Sequence, residues 1–253
     1  MDKTATPHLT AIYRRPESLR DELTHYCGGC GHAIMHRLIA ELIDELRIKE
    51  KTIGIAPVGC AVLAYDYIDI DWSEAAHGRP PAVATGIKRV QPDKVVFTYQ
   101  GDGDLASIGM AETIHAANRG ENITIIFINN ALYAMTQGQM APTTMIGQVT
   151  TTTPRGREFD QEGPPIDMCE LLKGFGRVKL LARTAVNSPR NVRKTRRLVK
   201  KAFRNQINGT GFSMIEVLSQ CPTYWRRKPA ECSDFIEDEM TGVFPLGIYK
   251  DER

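Results

Sequence analysis

The sequence has no long hydrophobic run and little excess of either charge. Its 253 residues carry 32 Lys and Arg against 30 Asp and Glu, a formal net charge of +2. This balance does not favour a nucleic-acid binder or a protein of a membrane surface. No apolar stretch approaches the ~18 residues that cross a bilayer, and the first residues lack the apolar core of a signal peptide. We therefore expect a cytoplasmic protein that binds neither membranes nor nucleic acids.

Cysteine is also scarce, with six residues in the chain. So few cysteines do not make a disulfide-stabilised scaffold in a cytosolic protein, so we interpret them as free thiols or as ligands. Hydrophobic residues, in contrast, make up 42% of the sequence. A chain of this length and composition can bury a sizeable core, and it predicts a globular fold.

Short β-rich segments alternate with helical patterns along the chain. The segments that predict strands are TIGIAPVG (52–59), KVVFTYQGDGD (94–104), NITIIFINN (122–130), RVKLLART (177–184) and GFSMIEVLSQCP (211–222). Helical periodicity marks residues 33–51, 105–120 and 191–207. Because the strands are apolar without polar alternation, we predict an α/β fold with a parallel sheet flanked by helices. The predicted domain is 26–230, between an N-terminal extension (1–25) and a C-terminal tail (231–253).

Two polar motifs follow consecutive predicted strands. Gly101-Asp102-Gly103-Asp104 ends one strand, and Asn129-Asn130 ends the next, with 25 residues (104 to 128) between Gly101-Asp102-Gly103 and Asn129-Asn130. The glycines let the backbone approach phosphate oxygens, and oxygen ligands from Asp102, Asn130 and the Leu132 carbonyl suit Mg²⁺. Either motif alone is an ordinary turn or loop. Their pairing favours a metal-bridged diphosphate site.

Four cysteines are predicted to meet at one edge of the sheet. They are Cys27 and Cys30 of CGGCGH, which open a helix, and Cys60 and Cys221, which end strands. A redox pair would use only the first two, and structural zinc usually takes two close pairs in a compact knuckle. A [4Fe–4S] cluster accepts thiolates from scattered loops, and we favour it. Cys169 and Cys232 have no matching context and are interpreted as ordinary thiols.

The pair of GDGD and NN resembles the signature of the thiamine-diphosphate enzymes. The resemblance implies thiamine diphosphate with Mg²⁺ at Asp102, Asn130 and Leu132, and a diphosphate lying against Gly103 and Asp104. Gly101 is a further predicted cofactor-binding residue. The segment AAHGRPPAVATGIK (75–88) resembles the loop and helix that approach the phosphate end of the cofactor. It adds three residues to the predicted cofactor site, and the loop after NN adds a fourth: His77, Gly78, Arg79 and Thr136. By itself, His77 fits a hydrogen-bonded core histidine equally well.

Together, the diphosphate motifs and the four cysteines resemble the β subunit of 2-oxoacid:ferredoxin oxidoreductases. The motifs that carry this resemblance are CGGCGH, Gly59-Cys60, GDGD, NN and Cys221-Pro-Thr, spread over roughly residues 20 to 230. It implies CoA-dependent oxidative decarboxylation of a 2-oxoacid, either 2-oxoglutarate or a branched-chain acid, and a pyruvate-like substrate also stays open. Electrons then pass through a [4Fe–4S] cluster to ferredoxin.

The resemblance also implies partner subunits. The carboxylate that activates thiamine diphosphate comes from a separate pyrimidine-binding domain, so we assign no catalytic residue in this chain and expect the glutamate from an α subunit. Gamma and ferredoxin-like delta subunits are further expected partners. Two alternatives stay open: a non-redox thiamine-diphosphate decarboxylase or synthase subunit, and a non-catalytic iron–sulfur scaffold.

Overall fold

Seven strands form one sheet in the computed structural model, which describes residues 13–252. In chain order they are β1 (Thr52–Ala56), β2 (Asp71–Glu74), β3 (Val95–Gly101), β4 (Thr124–Asn129), β5 (Val178–Ala185), β6 (Phe212–Leu218) and β7 (Gly247–Asp251). Their order across the sheet is β2-β1-β3-β4-β6-β5-β7. All neighbours are parallel except β5 and β7. The predicted parallel α/β sheet is confirmed, with an antiparallel edge strand added.

Helices cover both faces of the sheet. In the described part of the chain they are α1 (Gly31–Leu46), α2 (Ala64–Tyr67), α3 (Pro80–Val90), α4 (Met110–Arg119), α5 (Phe159–Glu162), α6 (Met168–Leu172), α7 (Pro189–Ile207), α8 (Pro222–Trp225), α9 (Pro229–Phe235) and α10 (Thr241–Val243). A 3₁₀ turn spans Lys49–Lys51, and π-helical turns span Asp104–Ile108 and Ile236–Met240. The three predicted helical segments correspond to α1, to the first π turn with α4, and to α7.

The core lies on both sides of the central strands. Along β3, Val95 and Phe97 pack into the cluster under α1 and α7, while Val96 between them packs into the opposite cluster. Successive side chains of a strand point to opposite faces, so both faces of β3 are buried. This explains why the sequence of the strand is continuously apolar instead of alternating.

The two long helices on one face begin at the edge of the sheet that carries the predicted motifs. The first, α1, begins directly after Cys30 and is followed by its C-cap Arg47, which adopts a left-handed conformation (φ 54°). Ser188 caps α7 by accepting a hydrogen bond from the Asn191 N–H, and Pro189 occupies the first turn. Because β1 to β6 are parallel, the segments that follow these six strands lie at this same edge.

The segment after residue 230 contributes to the fold. It forms α9, a π turn and α10, and it ends in β7, which pairs with β5. The sequence did not predict β7, because GIYKD is short and mostly exposed. The domain boundaries drawn from the sequence stay a prediction.

Part of the N-terminal extension lies outside the described residues, which begin at 13. Its described portion is attached to the domain: Leu19 forms a β-bridge with Ile68, and the Ser18 N–H donates to Asp44 at 3.2 Å. In the described part of the chain, no helix has the length and apolar character needed to cross a membrane.

Candidate cofactor site

The predicted magnesium ligands converge at the ends of β3 and β4. The backbone N–H of Leu132 lies 3.0 Å from Oδ2 of Asp102 and 3.3 Å from Oδ1 of Asn130. Because one N–H group lies within hydrogen-bonding distance of both, the side-chain oxygens of Asp102 and Asn130 are close together. Asp102, Asn130 and Leu132 are all buried.

The buried carboxyl group of Asp102 suits a bound cation. Burial raises its pKa to about 7, and hydrogen bonds donated by Thr143, Gly103 and Leu132 work in the opposite direction. The Thr143 hydroxyl donates to Oδ2 at 2.9 Å. A buried carboxylate is costly without a compensating charge, and Mg²⁺ prefers such hard oxygen ligands. The donor set therefore fits a divalent cation.

Gly103 is needed for packing in this turn. A Cβ at residue 103 would overlap the ring of Tyr133, whereas a Cβ at Gly101 would meet no atom within 4 Å. The first glycine of the motif thus leaves open space beside the cavity, and the second allows a side chain to pack against the backbone.

We expect Gly103→Ala to destabilise the fold. Forcing a methyl group against the Tyr133 ring should lower the free energy of unfolding by about 1–3 kcal/mol, as in other overpacked sites. Denaturant unfolding measures the change. Gly101→Ala is the matched control, and its stability should stay within about 0.5 kcal/mol of wild type. Equal stability of the two variants would contradict the packing argument.

Asp104 organises the loops around the site. Its Oδ1 accepts hydrogen bonds from the Gly78 N–H at 2.9 Å and the Val58 N–H at 3.3 Å, and it bonds Nδ1 of His77 at 2.7 Å. Its Oδ2 accepts from Gln100 at 2.7 Å. Asp104 therefore connects the loop after β1 and the loop before α3 to the end of β3. Its predicted contact with the diphosphate stays a prediction.

The predicted residues of the 77–79 loop have different surroundings. His77 lines the cavity described below and uses Nδ1 for the bond to Asp104. Arg79 does not line that cavity; it forms an ion pair with Glu112 and donates to the Ile108 carbonyl at 2.9 Å. The phosphate contact predicted for Arg79 is untested, and in this structure its guanidinium group already has partners.

The turn after β4 is built on a buried charged network. Asn129 donates from Nδ2 to Glu216 at 2.8 Å, and its Oδ1 accepts from the Ala131 N–H at 3.0 Å. Glu216 also accepts from Nε of Arg183 at 2.9 Å, and both of these charged side chains are fully buried. Asn129 therefore holds the turn to the sheet, and Asn130 is the asparagine that lines the cavity.

The four predicted cluster cysteines lie near one another. The Cys30 N–H donates to the Cys27 carbonyl at 3.0 Å, and the adjacent Gly31 N–H donates to the carbonyl of Gln220, the residue before Cys221, at 3.3 Å. Cys60 packs against the apolar cluster that contains Cys221. The helix-opening pair and the two strand-end cysteines therefore occupy one region of the sheet edge.

The thiols influence one another electrostatically. Burial raises the pKa of Cys30 to about 11 and that of Cys60 to about 12, and it raises the pKa of Cys221 further; neighbouring cysteines of the set add to each shift. Four thiolates in such surroundings need a cationic group, and iron supplies one. The donor set therefore fits an iron–sulfur cluster.

The cysteines do not form a preformed site for a single metal ion in the described part of the chain. Within residues 13–252, no three His, Cys, Asp or Glu side chains are arranged to hold a metal ion. Tetrahedral zinc with bonds of ~2.3 Å would require its sulfurs to be close together. A [4Fe–4S] cluster takes one thiolate at each of four irons, so its ligands stand farther apart. The four-cysteine cluster stays a prediction.

One cavity connects the two predicted centres. Its volume is ≈ 120 Å³, and its lining includes Asp102, Asn130, Leu132, His77 and Thr136 together with Cys60. Gly101, Gly103 and Asp104 line it as well. A group bound at the diphosphate motifs would therefore lie beside a predicted cluster ligand.

The sequence analysis missed several residues of the site. Thr143 donates to Asp102 across 41 residues of chain. His32 lines the cavity and bonds the Tyr99 hydroxyl at 2.8 Å, and burial lowers the pKa of its ring to about 4. Trp225 donates from its indole to the Asn130 carbonyl at 3.0 Å. Thr143 and Trp225 belong to no motif that the sequence analysis identified, whereas His32 is the last residue of CGGCGH and could have been found from it.

Comparison with protein families gives a match to "Thiamine pyrophosphate enzyme, C-terminal TPP binding domain" over residues 57–217, more than half of the chain. The matched segment includes Cys60, GDGD and NN. The chain therefore belongs to the thiamine pyrophosphate (diphosphate) enzymes, in the domain that binds the cofactor. Within that class, curated relatives identify it as a subunit of the 2-oxoacid oxidoreductases.

Two relatives illustrate this membership. The ketoisovalerate oxidoreductase subunit VorA of Methanothermobacter thermautotrophicus is 48% identical over 250 residues, covering 95% of this chain and 52% of the relative. The 2-oxoglutarate synthase subunit KorB of Methanocaldococcus jannaschii is 38% identical, covering 92% of this chain and 89% of the relative. The chain thus spans about half the length of the VorA relatives.

A solved structure agrees with the fold. It is a 2-oxoglutarate:ferredoxin oxidoreductase from Magnetococcus marinus with 2-oxoglutarate, coenzyme A and succinyl-CoA bound. The TM-score is 0.78 at 25% sequence identity, and the alignment covers 97% of this chain and 87% of that chain.

Proposed function

We propose that this chain is the subunit of a 2-oxoacid:ferredoxin oxidoreductase that holds thiamine diphosphate, Mg²⁺ and a [4Fe–4S] cluster. The assembled enzyme converts a 2-oxoacid and CoA into acyl-CoA and CO₂, and two electrons leave through the cluster to ferredoxin. One observation carries the proposal: Cys60 and Asp102, which belong to different predicted centres, line the same cavity. The names of the relatives support it.

In this proposal the chain binds and orients its cofactor. Asp102, Asn130 and the Leu132 carbonyl hold Mg²⁺, and open space at Gly101 receives the diphosphate. Thiamine diphosphate, when bound, supplies a nucleophilic carbon for attack on the ketone of the substrate. Asp104 keeps His77 in place through the bond to Nδ1. Neutral thiols at the sheet edge become thiolate ligands as iron binds.

Partner subunits complete the proposed site. The cavity of ≈ 120 Å³ is smaller than the roughly 300–1,000 Å³ of typical small-molecule sites, so this chain forms only part of the wall. An α subunit supplies the remaining wall and the glutamate that activates the cofactor. Gamma and ferredoxin-like delta subunits, with ferredoxin as the electron acceptor, are the other partners we propose.

A branched-chain 2-oxoacid is the substrate class that we favour over 2-oxoglutarate. Among the described residues that line the cavity there is no Lys or Arg to bind a second carboxylate. Val58, Ala61 and Met135 contribute apolar lining. The relatives named for ketoisovalerate are 48% identical, against 38% for the KorB relative described above. A higher kcat/KM for 2-oxoglutarate than for 2-oxoisovalerate in the complex would reverse this preference.

We expect the isolated chain to decarboxylate no 2-oxoacid, and addition of its α subunit to restore turnover. The physical reason is that, among the described residues, the carboxyl groups that line the cavity are those of Asp102 and Asp104, and both have other roles in the proposed site. The measurement is anaerobic CoA-dependent reduction of ferredoxin, with thiamine diphosphate and iron determined on the same samples. Turnover by the chain alone would contradict the divided site. Bound thiamine diphosphate without iron would favour a non-redox enzyme, and iron without thiamine diphosphate would favour a scaffold.

A further inference from the structure

Trp225 contacts both predicted centres. Its indole Nε1 donates to the carbonyl of Asn130 at 3.0 Å, in the turn that carries the predicted magnesium ligands. Its backbone N–H donates at 3.0 Å to the carbonyl of Cys221, which is itself a predicted cluster ligand. Short helix α8 thus spans from one centre to the other.

The turn that Trp225 contacts is conformationally strained. Ala131 has a left-handed backbone (φ 59°), which is unfavourable for a residue with a Cβ. Its carbonyl accepts hydrogen bonds from the Thr144 hydroxyl at 2.6 Å and from Gln148 at 3.2 Å. The bond from Trp225 fixes the preceding peptide group, between Asn130 and Ala131. Such a turn keeps its geometry only while these bonds hold it.

Packing couples Trp225 to the cysteine side. Its ring lies edge-on to Phe235, with ring centroids 4.7 Å apart at 63°. It also packs against the cluster formed by Leu132, Ala134 and Cys221. A shift of the Cys221 turn would therefore move the indole and, through Nε1, the carbonyl of Asn130.

We propose that the indole N–H of Trp225 couples occupancy of the iron–sulfur centre to binding of the magnesium–thiamine diphosphate. Ligation of Cys221 fixes α8, and Trp225 then holds the Asn130 turn in the geometry that binds the metal. The coupling rests on the proposed function, because both groups are those proposed above. By linkage, the bound cofactor must stabilise the cluster by the same factor. Trp225 is a positioning residue in this scheme.

Trp225→Phe tests the coupling, since it retains the ring against Phe235 and removes only the N–H donor. The complete chain is isolated anaerobically with the subunits that co-purify with it. We expect the dissociation constant of thiamine diphosphate, measured by equilibrium dialysis with Mg²⁺, to rise about tenfold. Iron content should stay at the wild-type level. Trp72→Phe is the matched control, because Trp72 on strand β2 also donates an indole hydrogen bond, to the Ile68 carbonyl at 2.9 Å. This variant should change neither the dissociation constant nor the iron content.

The reciprocal measurement is the rate at which a chelator removes iron. Magnesium–thiamine diphosphate should slow iron loss from the wild type and from Trp72→Phe, but should have little effect in Trp225→Phe. Unchanged cofactor affinity in Trp225→Phe, or equal slowing in all three proteins, overturns the coupling. If Trp225→Phe does not fold, the rates of iron loss from the wild type decide alone. The coupling is then overturned if magnesium–thiamine diphosphate does not slow that loss. A wild-type complex without thiamine diphosphate or iron overturns the proposed function as well, whereas one that holds both but shows no coupling overturns only this inference.

Discussion

Replacing any one of the four predicted cluster cysteines with alanine is expected to remove most of the iron from the protein. The four variants are Cys27→Ala, Cys30→Ala, Cys60→Ala and Cys221→Ala. Each leaves one iron of the proposed [4Fe–4S] cluster without its thiolate, open to water and oxygen. The measurement is iron and sulfide content per chain after anaerobic purification, together with visible absorbance before and after dithionite.

The same variants should be less stable than the wild type. The proposed cluster joins the start of α1 to the ends of two strands that are distant in sequence, so its binding energy contributes to folding. We expect a loss of several kcal/mol, roughly as in other metal-coupled folds. Thiamine diphosphate should still bind, though more weakly if the coupling through Trp225 holds.

The two other cysteines provide the controls. Cys169 donates its thiol to Glu216 at 3.2 Å, and Cys232 is buried against the Arg227 carbonyl. Neither contacts the predicted centre, so Cys169→Ala and Cys232→Ala should retain full iron. Full iron in Cys60→Ala or Cys221→Ala would contradict the four-cysteine assignment, and zinc in place of iron would contradict the type of metal.

The strand ends explain how much of the site the sequence could predict. GDGD, NN, Cys60 and Cys221 each follow an apolar segment, and parallel strands bring such segments to the same edge of a sheet. The fold that this requires is confirmed by the sheet order and by the family match. The pattern of the strands therefore carried the information about which motifs lie together.

The rest depends on contacts that no local pattern encodes. Thr143 reaches Asp102 from a loop without regular structure, and Arg79 pairs with Glu112 on a neighbouring helix. Strand β2 is short and polar, so its sequence DWSE has none of the features of a buried strand. The tertiary fold determines these hydrogen-bond and ion-pair partners. From the sequence alone, a loop residue has many possible partners.

Asp102→Asn is expected to abolish Mg²⁺-dependent retention of thiamine diphosphate while leaving the fold intact. The asparagine keeps the volume of the side chain and its acceptor oxygen for Leu132, but loses the charge that binds a divalent cation. The measurement is thiamine diphosphate per chain after gel filtration with Mg²⁺. Iron content should match the wild type, because the predicted cluster ligands are unchanged.

Unfolding measurements distinguish cation binding by Asp102 from a role of its carboxylate in supporting the fold. Burial raises the pKa of Asp102 to about 7, so in the absence of metal the ionised carboxylate at neutral pH costs the folded state free energy. A neutral asparagine avoids that cost, and the metal-free variant should unfold at the same temperature as the wild type or higher. Adding Mg²⁺ and thiamine diphosphate at about 100 times the dissociation constant should stabilise the wild type by about 2.7 kcal/mol and the variant not at all. An Asp102→Asn protein that keeps full thiamine diphosphate, or one that unfolds well below the wild type without metal, would show that the carboxylate supports the fold instead of the cation.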